Sequence, residues 1–346
     1  MIRVAVVGTG GIARACHMPA LAGERHRAEV VAVVDVDGAR AEAFRAEHGV
    51  PRAYTGLGEM LDRERPDLVH ICTPPYLHAR QVVQCLSAGA WVWCEKPPCV
   101  SLAEHDRITA AESGTFAAVI FQHRFGSGAR HLRELVAGGA LGRPTVALCV
   151  TAWYRDHAYY SAPWRGTWET EGGGPALGHG IHQTDLMLSV LGDWEEIRAM
   201  AGRIDRPVRT EDASAASVRF AGGAMASVLT SVLSPREESY LRFDFTEATV
   251  ELRHLYGYRN ADWTCTPPDL WKPPDDVPSS HAAQLADLLD SYERGERPAL
   301  SGKEGRQSLE FVTGLYASAL TGRPVLRSDL TEDNPFYHRL DGGIGL

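Results

Sequence analysis

Hydrophobic residues in the first third of the chain fall into short apolar runs that alternate with longer amphipathic segments. The apolar runs, each typical of a buried strand, are residues 2–7, 29–34, 68–72, 91–94 and 116–121. The intervening segments with helical spacing are residues 39–48, 57–63, 77–88 and 102–113. Strand and helix in strict alternation predict an α/β fold with a doubly wound parallel sheet and helices on both faces.

The pattern changes after residue 125. Runs typical of strands now follow one another directly, at residues 145–153, 213–220, 224–232, 240–245 and 249–255, and they predict a mainly antiparallel sheet. Helical stripes return at residues 282–294 and 303–318. Because 346 residues exceed the roughly 250–300 that one core usually serves, we expect two domains, residues 1–125 and 126–346.

Composition and charge narrow the class of partner. The 44 acidic and 35 basic residues give a net charge of -9, which disfavours nucleic acid or an anionic membrane and favours a small molecule. No run approaches the roughly 18–20 apolar residues of a membrane helix, and glycine interrupts the N-terminal run early, so we expect a cytoplasmic protein. The seven cysteines are scattered without metal-binding spacing, and we expect them to be reduced.

A glycine-rich turn follows the first strand. In the segment Gly8-Thr9-Gly10-Gly11-Ile12-Ala13, Gly8 permits a tight turn, Gly10 lets the backbone approach a pyrophosphate, and Ala13 lets the helix pack on the strand. Asp35 ends the second strand, 22 residues after Ala13, where dinucleotide folds place an acid on the ribose hydroxyls. The pattern predicts NAD, and Arg40 leaves NADP open. Capping of the helix over 39–48 is the alternative role for Asp35.

Three further segments follow strands of the predicted parallel sheet. They are residues 73–75, 95–97 and 122–124. Because ligands bind beyond the carboxyl ends of such strands, we expect these segments to lie at one edge with the glycine turn and Asp35.

Several motifs resemble the glucose-fructose oxidoreductase, inositol dehydrogenase and MocA family. Thr73-Pro74-Pro75 followed by His78 resembles its T-P-P/N-H element, Glu95-Lys96-Pro97 matches its E-K-P signature, and residues 172–185 resemble its G-G-G...G-x-H-x-x-D element. The resemblance implies a Rossmann domain followed by an α/β domain whose open, mainly antiparallel sheet carries substrate and mediates a homodimer or homotetramer.

The same resemblance implies the catalytic residues. Lys96 would stabilise the negative charge that grows on a carbonyl oxygen during reduction, and His182 would act as general acid or base. Many relatives carry an aspartate four residues before this histidine, where this chain has Gly178, so the sequence leaves open what replaces it. Trp164-Arg165 resembles a W-R pair that closes the cofactor pocket. The predicted cofactor-binding residues are Gly8, Gly10, Gly11, Ile12, Ala13, Asp35, Thr73, Pro74, Pro75, His78, Glu95, Lys96, Trp164 and Arg165.

Weaker candidates complete the predicted site. Arg124, Tyr154, Tyr159, His179 and Asp185 are candidate substrate residues, because they follow a strand, supply aromatic surface or share the motif of His182. His179, His182 and Asp185 also have a spacing of three, but no further histidine or cysteine accompanies them, so we expect no metal.

The leading functional hypothesis is an NAD(P)-dependent oxidoreductase that acts on a secondary alcohol or ketone of a sugar, cyclitol or related polyol. Two alternatives stay open at this point. One is an NAD-dependent glycosidase of the same fold, which would hydrolyse a glycoside without net change in nicotinamide absorbance. The other is a non-catalytic NAD-binding regulator, for which Gly178 is the only support and against which Lys96 and His182 count.

Overall fold

The computed structural model describes residues 1–346, which form two compact units. The first unit comprises Met1–Cys99, Glu104–Ile120 and His281–Arg306, and the second comprises Val100–Ala103, Phe121–Ser280 and Gln307–Leu346. The structure therefore differs from a single division at residue 125, because residues 281–306 return to the first unit. An apolar stripe at helical spacing shows that a helix packs on a core, but it does not show on which core.

The first unit is built on a six-stranded parallel sheet with the strand order β3-β2-β1-β4-β5-β6. Its strands are β1 (Ile2–Val7), β2 (Ala28–Val34), β3 (Arg52–Tyr54), β4 (Leu68–Ile71), β5 (Trp91–Cys94) and β6 (Ala117–Val119). The helices between them are α1 (Met18–Gly23), which continues a π-helical turn over Ala13–His17, α2 (Gly38–His48), α3 (Leu57–Glu64), α4 (Pro75–Ser87) and α5 (Leu102–Ala111). This order confirms the predicted doubly wound parallel sheet and is that of a Rossmann fold.

The register of this sheet aligns the carboxyl ends of its central strands. Val7 pairs with Val34 on one side and with Ile71 on the other, and Ile71 pairs in turn with Cys94. The residues that follow these strands, which include Gly8, Asp35, Thr73 and Glu95, therefore begin at one edge of the sheet. The strand order reverses between β1 and β4, which is where such sheets bind ligands.

Helix α9 (His281–Arg294) contributes to the core of the first unit. Leu285, Leu288 and Leu289 are buried in the same cluster as Val4, Val33 and Trp93 of the sheet. The ring of Tyr292 meets the ring of Trp91 edge to face at 5.1 Å. Burial of several large apolar side chains at roughly 1.5–3 kcal/mol each makes this helix a substantial part of the unit.

The second unit contains an eight-stranded sheet with the order β13-β12-β11-β7-β10-β9-β8-β14. Its strands are β7 (Pro144–Tyr154), β8 (Trp194–Gly202), β9 (Ala213–Phe220), β10 (Met225–Ser231), β11 (Leu233–Phe245), β12 (Thr249–Leu252), β13 (Trp263–Thr266) and β14 (Val325–Leu326). All neighbours are antiparallel except β7 and β10, which confirms the predicted mainly antiparallel sheet.

The helices of the second unit are α6 (Ser127–Ala137), α7 (Pro175–Gly178), α8 (Ile181–Leu191), most of α10 (Gly302–Thr321) and α11 (Pro335–His338). Helix α7 packs on β9 and β10, and α8 packs on β7 and β11. From Ser214 to Phe220, strand β9 alternates between buried and exposed residues, as expected for a sheet with one covered face. None of the helices combines the length and the apolar character that a membrane-spanning segment requires.

Candidate active site

In the glycine turn after β1, the packing of the protein requires a glycine at Gly8 but not at Gly10 or Gly11. Gly8 has φ +91°, and a Cβ there would lie 2.8 Å from the carbonyl carbon and oxygen of Cys72, so a side chain is excluded. Gly10 and Gly11 are exposed, and a Cβ on either would meet no protein atom within 4 Å. Protein packing therefore does not explain Gly10, whereas the close approach of a pyrophosphate does, so the turn fits a dinucleotide.

Asp35 lies beside this turn at the end of β2. Its Oδ2 accepts hydrogen bonds from the backbone N–H of Thr9 at 3.1 Å and from the Thr9 hydroxyl at 2.8 Å. Its Oδ1 accepts from the backbone N–H of Asp37 at 3.0 Å and from Arg40 at 2.8 Å. Burial acts to raise the pKa of Asp35, but these bonds outweigh it and the pKa is lowered. The carboxylate is thus held ionised next to the glycine turn.

The helix cap that was the alternative role for Asp35 is formed by Asp37 instead. The N-cap of α2 is Asp37, whose side chain accepts hydrogen bonds from the backbone N–H groups of Ala39 and Arg40. Asp35 itself contacts α2 only through the exposed side chain of Arg40.

His78 connects two of the predicted cofactor-facing segments. Its Nδ1 lies 2.7 Å from the carbonyl oxygen of Pro97, and its Nε2 lies 2.7 Å from the carbonyl oxygen of Thr73. The side chain is completely buried, and both ring nitrogens face backbone atoms. His78 therefore joins the T-P-P segment to the E-K-P segment. Its direct contact with the cofactor stays a prediction.

The Glu95 side chain binds both the E-K-P turn and two buried histidines. Its Oε2 accepts a hydrogen bond from the backbone N–H of Lys96 at 3.2 Å, while its Oε1 lies 3.2 Å from Nε2 of both His17 and His281. Burial acts to raise the pKa of Glu95, but the two histidines outweigh it and hold the pKa well below its usual range. The Lys96 backbone is thereby tied to a buried, ionised carboxylate.

The two histidines carry different charges. Burial acts to lower the pKa of His281, but bonds to Cys16 and Glu95 outweigh it and raise the pKa to about 9. Burial lowers the pKa of His17, and it lowers the pKa of His70 still further. The Nδ1 atoms of these two histidines lie 3.0 Å apart. Near neutral pH the buried group therefore holds one cation and one anion, which compensate each other.

Sequence reasoning missed both histidines. Ala13, His17, Ala20 and Leu21 are buried at helical spacing, so the inward position of His17 was readable from the sequence. His281 is 186 residues from Glu95 in the chain, and no local pattern signals their contact.

His182, the second predicted catalytic residue, is on α8 of the second unit. Its side chain is buried, and its ring is nearly perpendicular to those of His123 at 5.1 Å and Tyr256 at 5.6 Å. The Phe121 ring is 6.1 Å away. The imidazole thus lies among aromatic rings, which fix its orientation.

Asp185 and Arg124 bind each other. The Arg124 guanidinium donates to both carboxylate oxygens of Asp185, at 2.6 Å each, and the hydroxyl of Ser308 donates to Oδ1 at 2.8 Å. Asp185 is completely buried. This bidentate pair ties the segment after β6 to α8, so the structure supports a structural role more directly than the predicted contacts with substrate.

The predicted aromatic and arginine residues form a cluster in the same unit. The Arg165 guanidinium lies over the rings of Tyr159 at 3.8 Å and Trp164 at 4.2 Å, and it contacts the Tyr159 hydroxyl. That hydroxyl is 3.3 Å from Nε2 of His179. Tyr154 is exposed, with Arg206 over its ring. The structure thus brings Tyr159, Trp164, Arg165 and His179 together.

Two buried carboxylates border the triple glycine, and sequence reasoning missed both. Glu211 accepts hydrogen bonds from the backbone N–H groups of Gly174 and Ala176 and from the hydroxyl of Tyr316, and burial raises its pKa to about 7. The second, Glu171, directly precedes the glycines and lies 3.4 Å from Arg165. A charged residue beside a triple glycine was the available signal for Glu171, whereas nothing local indicates Glu211.

Comparison with known proteins places these features in a family. Residues 2–123 match the description "Oxidoreductase family, NAD-binding Rossmann fold", and residues 129–251 match the C-terminal domain of the same family. The D-glucoside 3-dehydrogenase of Escherichia coli (strain K12) is 27% identical, over 94% of this chain and 97% of the relative. The myo-inositol 2-dehydrogenase of Thermotoga maritima is 26% identical, over 80% of this chain and 85% of the relative.

A solved structure agrees with the sequence relatives. The WlbA dehydrogenase from Bordetella pertussis, in complex with NADH and UDP-GlcNAcA, has a TM-score of 0.83 and 26% identity, with 94% of this chain and 98% of that chain covered. The glycine turn, the acid at the end of β2, the E-K-P turn and matches over both halves of the chain therefore agree, and the protein belongs to the Gfo/Idh/MocA family of NAD-binding oxidoreductases.

Proposed function

We propose that the protein transfers a hydride between NAD and a secondary alcohol or ketone of a sugar, cyclitol or related polyol. One observation carries this proposal: a glycine turn that fits a pyrophosphate, an ionised Asp35 and the Lys96 turn follow strands whose ends are aligned in one sheet. Relatives named as dehydrogenases of a glucoside and of myo-inositol support the class of substrate.

Each residue has a defined task in the proposed reaction. Bound NAD supplies the nicotinamide that accepts or donates the hydride. Asp35 accepts hydrogen bonds from the ribose hydroxyls, and its negative charge disfavours a phosphate at the same place, which favours NAD over NADP. Lys96, with its backbone held by Glu95, donates to the substrate oxygen and stabilises the negative charge there. His182 exchanges the proton of that oxygen.

A spectrophotometric screen tests this function. Purified protein is incubated with NAD and a panel of sugars and cyclitols, and nicotinamide absorbance is followed. We expect turnover with at least one polyol, and we expect Lys96→Met to abolish turnover while the variant still binds NAD. Lys303→Met, at an exposed lysine, is the matched control. An unchanged rate in Lys96→Met would exclude the assigned role, and glycoside hydrolysis without net absorbance change would favour the glycosidase alternative.

We also propose that the uncovered face of the second sheet joins copies of this chain into a homodimer or homotetramer. Met225 pairs with Val146, and Leu229 and Met200 both pair with Ala215, so these four large side chains project from the same face. All four are exposed. Light scattering is expected to show an oligomer that Met225→Glu together with Leu229→Glu dissociates, and a monomeric parent protein would refute the interface.

A further inference from the structure

Gly178 leaves space beside a buried carboxylate. It is the last residue of α7 and lies four residues before His182. A Cβ built on Gly178 would meet one atom within 4 Å, Oε1 of Glu171 at 3.8 Å. Glu171 is only 6% exposed. The chain therefore brings a carboxylate to the place from which it omits a side chain.

The Glu171 carboxylate is held in a defined position. Its Oε2 accepts a hydrogen bond from the backbone N–H of Gly166 at 2.5 Å, and its Oε1 is 3.4 Å from Nη1 of Arg165. The backbone N–H groups of Glu171 and Gly172 both donate to the carbonyl of Thr167. A buried carboxylate that is paired with a guanidinium and bound by a backbone N–H has little freedom to move.

Arg165 extends this arrangement towards the motif of His182. The same Nη1 that faces Glu171 also contacts the Tyr159 hydroxyl, which lies 3.3 Å from Nε2 of His179. The carboxylate, the guanidinium, the phenol and the imidazole thus form a continuous polar series. It ends at His179, three residues before His182.

We propose that Glu171 is a positioning residue of the oxidoreductase, and that its carboxylate does the work of an acid at position 178. It neutralises and orients Arg165, which in turn orients the Tyr159 hydroxyl and His179 at the start of the segment that carries His182. This inference rests on the proposed function. Glu171 is not assigned contact with substrate or with NAD.

Relocation of the carboxylate distinguishes this role from simple support of the fold. Glu171→Gln keeps the shape and removes the charge, and the double variant Glu171→Ala with Gly178→Asp moves the carboxylate to α7. Gly178 lacks a positive φ, and a Cβ there meets no backbone atom within 4 Å, so aspartate is sterically allowed. Glu169→Gln, at an exposed neighbour with only a 3.7 Å contact to Arg209, is the matched control.

We expect Glu171→Gln and Glu171→Ala to lower kcat by about tenfold to a hundredfold, the range typical of groups that orient a catalytic partner. The pH dependence of kcat is expected to shift, because the carboxylate beside Arg165 is replaced by an uncharged group. The double variant should have a kcat roughly twofold to fivefold higher than that of Glu171→Ala. On a logarithmic scale, this gain is at least a third of the loss caused by Glu171→Ala. Glu169→Gln should behave as the parent protein.

The outcomes separate this inference from the proposed function. A parent protein without turnover on any polyol would refute the proposed function, and with it the reaction that Glu171 is assigned to serve. A parent protein that is active, with Glu171→Gln equally active, would overturn the role of Glu171 alone. If Glu171→Gln fails to fold, the comparison of Glu171→Ala with the double variant decides, and equal kcat in these two would overturn the proposal.

Discussion

The buried ion pair beneath the E-K-P turn predicts a specific dependence of stability on pH. His281 has its pKa raised from 6.5 to about 9, because bonds to Cys16 and Glu95 outweigh the effect of burial. The gap of about 2.5 between these values, at about 1.4 kcal/mol per pKa unit, corresponds to about 3 kcal/mol. The His281 side chain is only 10% exposed, so solvent screens this interaction little.

The direction in which stability changes with pH follows from the raised pKa of His281. The protonated ring contributes its full stabilisation below about pH 6.5, loses it progressively as the pH rises, and contributes nothing above about pH 9. We therefore expect His281→Gln to lower the free energy of unfolding by about 3 kcal/mol at pH 6 and to differ much less from the parent protein at pH 10.

Two measurements check this prediction. Urea unfolding of the full chain at pH 6 and pH 10 compares the parent protein, His281→Gln and the control His26→Gln, whose side chain is 71% exposed. Histidine ring NMR spectra across the same range identify the His281 signal as the one missing from the variant. A titration midpoint at or below 6.5, or the same loss of stability at both pH values, would refute the reasoning.

Three further predictions concern the other parts of the candidate site. Gly8→Ala should destabilise the protein by about 1–3 kcal/mol in chemical unfolding, because of its positive φ and its contact with Cys72, whereas Gly10→Ala should leave stability unchanged and weaken NAD binding in calorimetry. Asp35→Ser should raise the KM for NAD and reduce the preference for NAD over NADP, and an unchanged preference would contradict its role. Asp185→Asn should cost about 3–5 kcal/mol of stability, because the buried Arg124 guanidinium loses its partner, and a change below 1 kcal/mol would contradict this.

Local sequence patterns were sufficient for most of the fold. The apolar runs at residues 2–7 and 91–94 coincide with β1 and β5, and the run at 213–220 coincides with β9. Strand β8 was missed because acidic and basic residues interrupt its alternation, and α6 was not predicted either. The parallel pairing of β7 with β10 could not be predicted from local patterns either, because consecutive strand-like runs after β7 suggested an antiparallel meander.

The sequence by itself identified the candidate site residues: the glycine turn, Asp35, the E-K-P turn and the motif of His182. The glycine turn and Asp35 are local signals, because a tight turn and a strand end each demand particular residue types within a few positions. Lys96 and His182 were identified through the resemblance of their motifs to those of the family. The tertiary structure alone decided their partners. His281 reaches Glu95 across 186 residues of chain, and Ser308 reaches Asp185 across 123. Contacts between distant segments depend on how whole elements pack, and no periodicity within one segment records that packing.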